Sequence, residues 1–130
     1  MKILRLLMAS GALLATAPAQ AKPAVDPQVR LEQELGGWVA GKPRDCINLQ
    51  QIRSTRIINR TAIIYDMGSI RFLNRPRGGA ESLSQWDTLV TDTHSSQLCS
   101  IDVVKLYDSS AHMQTSVVFL GEFVPYKKVR

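Results

Sequence analysis

The sequence predicts a mainly β protein, a small antiparallel sheet that is rolled or barrel-like, with one short N-terminal helix. Two observations lead to this prediction. Runs of β-branched and aromatic residues, about seven in number, recur at close spacing between Gly, Pro, Asn and Asp residues that favour turns. The one segment with helix-capping signals, residues 26–37, precedes them. In a chain of this length, the pattern favours a single rolled sheet over two domains.

The first 21 residues have the three parts of a cleavable signal peptide. Lys2 and Arg5 supply a positive n-region, and residues 6–15 form an apolar h-region that is too short to span a bilayer. Ala19-Gln20-Ala21 is an A-x-A cleavage site, and Ala17-Pro18-Ala19 is a second candidate. The sequence therefore predicts an exported protein, periplasmic or secreted, with a short N-terminal anchor as the alternative. No later run predicts a membrane-spanning helix.

Cleavage of the leader changes the charge of the protein. The whole chain has 16 basic and 11 acidic side chains and a formal net charge of +5. Loss of Lys2 and Arg5 lowers that charge to about +3, which suits a solvated surface, anionic lipid headgroups or acidic polymers. Aromatic residues are not interleaved with the basic ones as in a nucleic-acid-stacking surface. We expect an envelope protein or an anionic polymer as partner, no nucleic acid, and no cofactor.

The mature chain divides into three parts. We expect a short helix and linker at residues 22–44, a β-domain at residues 45–126, and a basic tail at residues 127–130. Asp26 before Pro27 is typical of an N-cap followed by Pro at the first helical position. The helix is then expected to end at Gly36-Gly37.

The predicted helix has barely two turns and would be marginal by itself, so it must pack against the sheet. Trp38 and Val39 are expected to supply part of that contact, and both Trp38 and Trp86 are expected in or beside the core.

The longest predicted strand covers residues 97–108 and carries one of the two cysteines, Cys99. Asp102 is an acidic residue between Ile101 and Val103, so its carboxylate either faces water or needs a partner if it is buried. We predict that Asp102 is a buried polar group with a structural hydrogen bond or ion pair. The other predicted strands cover residues 46–49, 55–59, 61–65, 70–74, 88–91 and 114–120, with residues 121–126 continuing the last of them.

The two cysteines predict a structural disulfide. Oxidising compartments allow such bonds to persist, and Cys46 has only Cys99 to pair with inside the chain. Closing the loop between them stabilises the fold by about 4 kcal/mol in the loop-entropy model. A redox or metal role is the alternative, but the chain lacks a C-x-x-C pair and its two His residues are not spaced as ligands.

Four segments together resemble a known pattern: Cys46-Ile47, a hairpin ending near Asn74, Leu98-Cys99-x-x-Asp102, and Leu120-Gly121-Glu122-Phe123. They resemble a family of short exported bacterial proteins classed as a domain of unknown function, over about residues 44–126. The resemblance implies an exported β-rich domain and no particular activity. Many members of that family have a further cysteine pair, which this chain lacks, and this supports Cys46–Cys99 as its disulfide.

Candidate catalytic residues are few, and we predict no catalytic set. Residues 92–96 contain Asp, His and Ser, yet adjacent residues rarely converge as a catalytic triad, so a solvated loop is the better interpretation. His112 lies in a predicted hairpin turn. An enzyme that combines Asp102 with His94 or His112, a hydrolase or lyase of the envelope, is the alternative.

A basic cluster is the candidate binding site. Arg71, Arg75 and Arg77 stand near Gly78-Gly79, and arginines beside a glycine-rich backbone can hold an anion. A solvated basic face is the alternative interpretation. The sequence as a whole favours an exported, non-enzymatic binding or envelope-accessory module over an envelope enzyme or an inhibitor of a periplasmic enzyme.

Overall fold

The computed structural model describes residues 11–19 and 24–129. The predicted n-region and the predicted cleavage position after Ala21 lie outside these residues. Residues 11–19 are exposed and contain neither helix nor strand. Within the described ranges, no helix is long and apolar enough to cross a membrane.

The fold is mainly β with one α-helix in the described chain, as predicted. Its helix and strands run in the order α1 (Pro27–Leu35), β1 (Trp38–Ala40), β2 (Cys46–Asn48), β3 (Ser54–Ile58), β4 (Ala62–Asp66), β5 (Ile70–Asn74), β6 (Thr88–Thr91), β7 (Gln97–Cys99), β8 (Val103–Asp108), β9 (Met113–Phe119) and β10 (Phe123–Lys128). Short 3-10 turns at Leu49–Gln51 and Ala80–Ser82 interrupt the connections.

The strands form three antiparallel sheets. The largest has the order β1-β10-β5-β4-β3, the second has the order β6-β8-β9, and β2 pairs with β7 alone. The five-stranded sheet ends in β1 on one side and β3 on the other, so the described strands make open sheets and no closed barrel. The predicted small, mainly β antiparallel domain is confirmed, but the strands form separate open sheets and not a barrel.

The five-stranded sheet is the middle layer, because it is buried on both faces. One face presents Ile63 and Phe72 to a core shared with Leu106 and Val118 of the three-stranded sheet. The opposite face packs Ile64, Leu73 and other apolar residues against α1. Successive side chains of one strand can pack into two different cores only when other elements cover both faces of the sheet. Strand β4 is accordingly buried from Ala62 through Tyr65.

The helix begins and ends at the residues that its capping signals predicted. The Asp26 carboxylate accepts a hydrogen bond from the Gln28 N–H at 2.8 Å, and the helix ends at Leu35 before Gly36. Leu31 is its buried residue. The expectation that Val39 contributes to packing was wrong, because that side chain is 58% exposed.

The single long strand predicted at residues 97–108 is two strands, β7 and β8, separated by a turn. Asp102 causes the break: its carboxylate accepts a hydrogen bond from the Cys99 N–H at 2.7 Å, and its own N–H donates to the Cys99 carbonyl at 3.0 Å. A side chain that bonds the backbone three residues away competes with the sheet ladder. As a result, β7 pairs with β2 and β8 pairs with β6 and β9.

Asn74 joins two segments of the resemblance pattern and is fully buried. Its side-chain amide donates to the Gly121 carbonyl at 2.7 Å, and its side-chain oxygen accepts from the Gly121 N–H at 2.9 Å. The amide thus acts as a strand partner for a residue just outside β10. A Cβ atom at position 121 would overlap the Arg75 carbonyl oxygen, which explains the glycine.

The C-terminal strand extends further than the sequence indicates. Lys127 and Lys128, which we expected in a basic tail, are the last two residues of β10 and pair with β1. The Val129 N–H then donates to the Gly37 carbonyl at 2.9 Å, so the chain stays hydrogen-bonded to the segment before β1 as far as Val129.

Candidate functional site

A groove of about 590 Å³ runs beside strand β3, and we call it the edge groove. It is lined by Arg30 and Glu34 of α1, by Thr55, Arg56, Ile57 and Ile58 of β3, and by Gln85, Trp86, Asp87, Thr88 and Leu89. The last five residues lead into and begin β6. The groove therefore lies between strand β3 of the middle sheet and the start of β6.

The groove lies along the edges of two strands. Successive side chains of a strand point to opposite faces of its sheet, so a cavity lined by four consecutive residues must lie beside the strand. Strands β3 and β6 are each the last strand of their sheet in the described chain. A last strand leaves a row of main-chain N–H and C=O groups without a neighbouring strand. Two such rows flank the edge groove.

One end of the groove is held together by hydrogen bonds between the two sides. The Gln85 N–H donates to the Asn59 side-chain oxygen at 2.6 Å, and the Arg60 N–H donates to the Leu83 carbonyl at 3.0 Å. Arg60 has a φ of 53°, which places the β3–β4 turn in the left-handed region. These contacts fix the spacing of the two edges at that end.

The charged residues of the groove give it a basic side. The Glu34 carboxylate lies between two arginines, contacting the Arg56 guanidinium and lying 3.7 Å from Arg30 Nε. Both arginine side chains are about half exposed, whereas that of Glu34 is 13% exposed. One carboxylate thus serves two cations, which leaves an excess positive charge at the surface. Asp87, on the other side, accepts a hydrogen bond from the Thr115 hydroxyl at 3.4 Å.

Trp86 stands at the rim of the groove and is 81% exposed. The expectation of a core position was wrong for this residue, because the turn at Ser84–Asp87 directs it outward. Trp38 is half-buried instead, with the Arg71 guanidinium 4.4 Å from its ring centroid. An exposed tryptophan beside a groove is a common feature of protein-binding surfaces, since it offers a large rigid area of contact.

Arg71, the first of the three arginines predicted to bind an anion, already has several partners. Its Nε lies 3.3 Å from an Asp66 carboxylate oxygen, and its guanidinium donates to the Glu34 carbonyl at 2.5 Å. A cation at the C-terminal end of a helix is also favoured by the helix dipole. Arg71 therefore ties β5 to α1 and to Trp38.

The three arginines of the predicted anion site have different neighbours. Arg71 and Arg75 are four residues apart along an extended strand, a span of roughly 13 Å. Arg75 lines a depression along α1 together with Gln28, Leu31, Glu32 and Leu35. Arg77 lies beyond Arg75 in the loop, where its N–H donates to the Phe119 carbonyl at 3.0 Å. An anion site built from all three therefore stays a prediction.

The residues considered for catalysis lie away from the edge groove. Asp102 is half-buried and holds the β7–β8 turn, as described above. His94 is exposed in the loop after β6, and His112 is exposed in the β8–β9 turn. Six residues of β8 separate Asp102 from that turn, a length of roughly 20 Å. Within the described residues, no three His, Cys, Asp or Glu side chains converge as metal ligands.

The predicted disulfide is present and lies apart from the groove. Cys46 and Cys99 are directly opposite each other in the β2–β7 pair, with Cα atoms 4.0 Å apart. The neighbouring Ser100 N–H donates to the Asp45 carbonyl at 2.8 Å, so the cysteines occupy a non-hydrogen-bonded position, where strands approach most closely. The bond supports a two-stranded sheet of only three residue pairs.

The middle of the core contains one polar group without a partner. The Tyr65 hydroxyl is buried and has no hydrogen bond in the described structure, while its ring packs edge-on against Phe123 at 5.8 Å between centroids. Burial raises the pKa of the Tyr65 hydroxyl above its usual value.

Comparison with protein-family models, with curated proteins and with solved structures yields no match. The resemblance to the exported family of unknown function therefore stays a prediction from four short segments.

Proposed function

We propose that this protein is an exported, non-enzymatic binding module that holds an extended segment of a partner protein in the edge groove. The observation that carries the proposal is the pair of strand edges, β3 and β6, on the two sides of a cavity of about 590 Å³. An extended peptide can add to such an edge and complete its main-chain hydrogen bonds. The signal-peptide features of residues 1–21 support export.

The side chains around the groove define the chemistry of the segment. Trp86 offers apolar contact on one side, and Arg30 and Arg56 share a single carboxylate on the other. Because side chains alternate along an extended peptide, apolar residues can face Trp86 while acidic residues approach the arginines. The segment that fits is therefore extended, with apolar and acidic residues in alternation.

The first test is selection of decapeptides from a random displayed library on the full chain. Selected peptides should be rich in alternating apolar and acidic residues. Trp86→Ala should weaken their binding by at least about 30-fold, as expected for an exposed aromatic anchor. Met113→Ala, which removes a side chain 56% exposed in the β8–β9 hairpin, is the matched control and should leave affinity unchanged. Equal affinities for the two variants would overturn the proposal.

The second test asks whether the main chain of the peptide is paired. Methylation of single backbone nitrogens in a selected peptide should abolish binding at every second position, where the N–H groups face β3, and should weaken it at intervening positions that face β6. Tolerance at all positions would exclude strand addition. Sedimentation equilibrium supplies a further control: a dimer of the full chain that Trp86→Ala abolishes would assign the edges to self-association and refute the partner version.

A further inference from the structure

The edge of the middle sheet that lies furthest from β3, formed by β1 and β10, carries a basic surface. The proposed function does not use this surface. Two shallow depressions of about 490 and 480 Å³ lie there and share Lys127. Their linings include Lys42, Arg44, Lys127 and Lys128 and no acidic residue. Among the described residues, none of these four cations has a carboxylate within 4 Å. We call them the basic edge.

Two acidic groups close to the basic edge in the chain or the sheet have other partners. Asp45 follows Arg44 in the chain, but its carboxylate accepts a hydrogen bond from the Ser100 hydroxyl. Asp66 is paired with Arg71 and also accepts from the Gly68 N–H at 2.7 Å. The positive charge of the basic edge is therefore not neutralised by these neighbours.

Exposed apolar side chains lie among the cations. Val39 and Val129 are each 58% exposed, and Pro43 is exposed between Lys42 and Arg44. Val39 is paired in register with Lys127, and the bond from the Val129 N–H to Gly37 keeps Val129 beside the same edge. Lys127 and Lys128 are consecutive in β10 and point to opposite faces of the sheet, so the cations and the apolar groups lie around the β1 edge and not on one face.

We propose that the basic edge adsorbs to the surface of a bilayer that contains anionic lipids. The cations match a negative headgroup layer, and the exposed valines and proline reach the boundary with the acyl chains, as in interfacial protein segments. Lysine stems can lie along apolar surface while their ammonium groups stay in the polar layer. A soluble polyanion would use the cations but would gain nothing from Val39 and Val129. This adsorption is independent of the edge groove, which lies at the other end of the sheet order.

The test is cosedimentation of the full chain with vesicles of phosphatidylcholine, with and without phosphatidylglycerol. Binding should require phosphatidylglycerol and should fall as salt rises. Lys127→Gln with Lys128→Gln should lower the partition coefficient by about 25-fold, about 5-fold for each lysine near the surface. The matched control, Lys105→Gln with Arg77→Gln, removes the same charge from exposed positions elsewhere and should lower it far less.

A second pair of variants separates a membrane from a polyanion. Val39→Ser with Val129→Ser should weaken vesicle binding and leave retention on immobilised dextran sulfate unchanged. An equal loss in both charge-changing double variants would overturn the proposal, because it would reflect net charge alone. Retention on dextran sulfate without sedimentation on anionic vesicles would also overturn it and would favour a soluble polyanion.

Discussion

Substitution of Asn74 tests how the C-terminal strand is attached to the middle sheet. In Asn74→Ala, the N–H and C=O of Gly121 both lose their partner. An unsatisfied buried group costs about 1–3 kcal/mol, and because Gly121 is only half-buried we take the lower half of that range for each group. The free energy of unfolding should therefore fall by about 2–4 kcal/mol, before any contribution from the cavity.

The measurement is urea unfolding of wild type and variant, with the loss read from the midpoint at constant m-value. Asn59→Ala is the matched control, since Asn59 accepts one backbone N–H at an exposed position and should cost less than about 1 kcal/mol. Asn74→Asp should also destabilise, because an oxygen replaces the amide that donates to the Gly121 carbonyl. A loss at Asn74→Ala no larger than that of the control would refute the reasoning.

Three further predictions concern the buried Tyr65 hydroxyl, the disulfide and the close backbone approach at Gly121. Tyr65→Phe removes an unpaired buried hydroxyl and should raise the free energy of unfolding by about 1 kcal/mol in urea. Burial raises the pKa of Tyr65 in the folded protein, so stability that is complete below pH 10 should decline at more alkaline pH in wild type and decline less in the variant. Cys46→Ser with Cys99→Ser should lower the thermal midpoint, with a loss of about 4 kcal/mol, and a loss under 1 kcal/mol would contradict the loop-entropy argument. Gly121→Ala should lower the urea midpoint because its Cβ would overlap the Arg75 carbonyl oxygen, and an unchanged midpoint would show that the loop adapts freely.

Local signals in the sequence predicted the elements that depend on local chemistry. The helix begins after Asp26 and ends before Gly36 because capping involves residues within one turn. Strand β5 has the predicted bounds, and its alternation places Phe72 and Leu73 in different cores as expected. The Cys46–Cys99 pairing needed no more than a count of cysteines.

The features that the sequence did not predict depend on contacts between distant residues, or on side-chain hydrogen bonds that compete with the pairing of strands. Hydrophobic patterning reveals neither of these. Asp102 ends β7 through a bond to the Cys99 N–H, although the surrounding residues favour a continuous strand. The exposure of Trp86 depends on what packs beside the turn that carries it. The edge groove depends on which strands lie last in their sheets, and strand order is a property of the whole chain. The sequence signal that could have suggested it is the polar run Ser54-Thr55-Arg56, which suits an exposed strand.

The separation of the two cysteines imposes an order on the maturation of the protein. Cys46 is synthesised 53 residues before Cys99, so its thiol must wait until the chain has been made through β7. Strands β3 to β6 all lie in the interval, and β3, β4 and β5 can pair with one another before the bond closes, whereas β6 pairs with β8, which follows Cys99. Alkylation of Cys46 in chains that stop short of Cys99 would therefore report the exposure of a reactive thiol in the nascent protein. Cys46 can thus be used to follow the assembly of the chain.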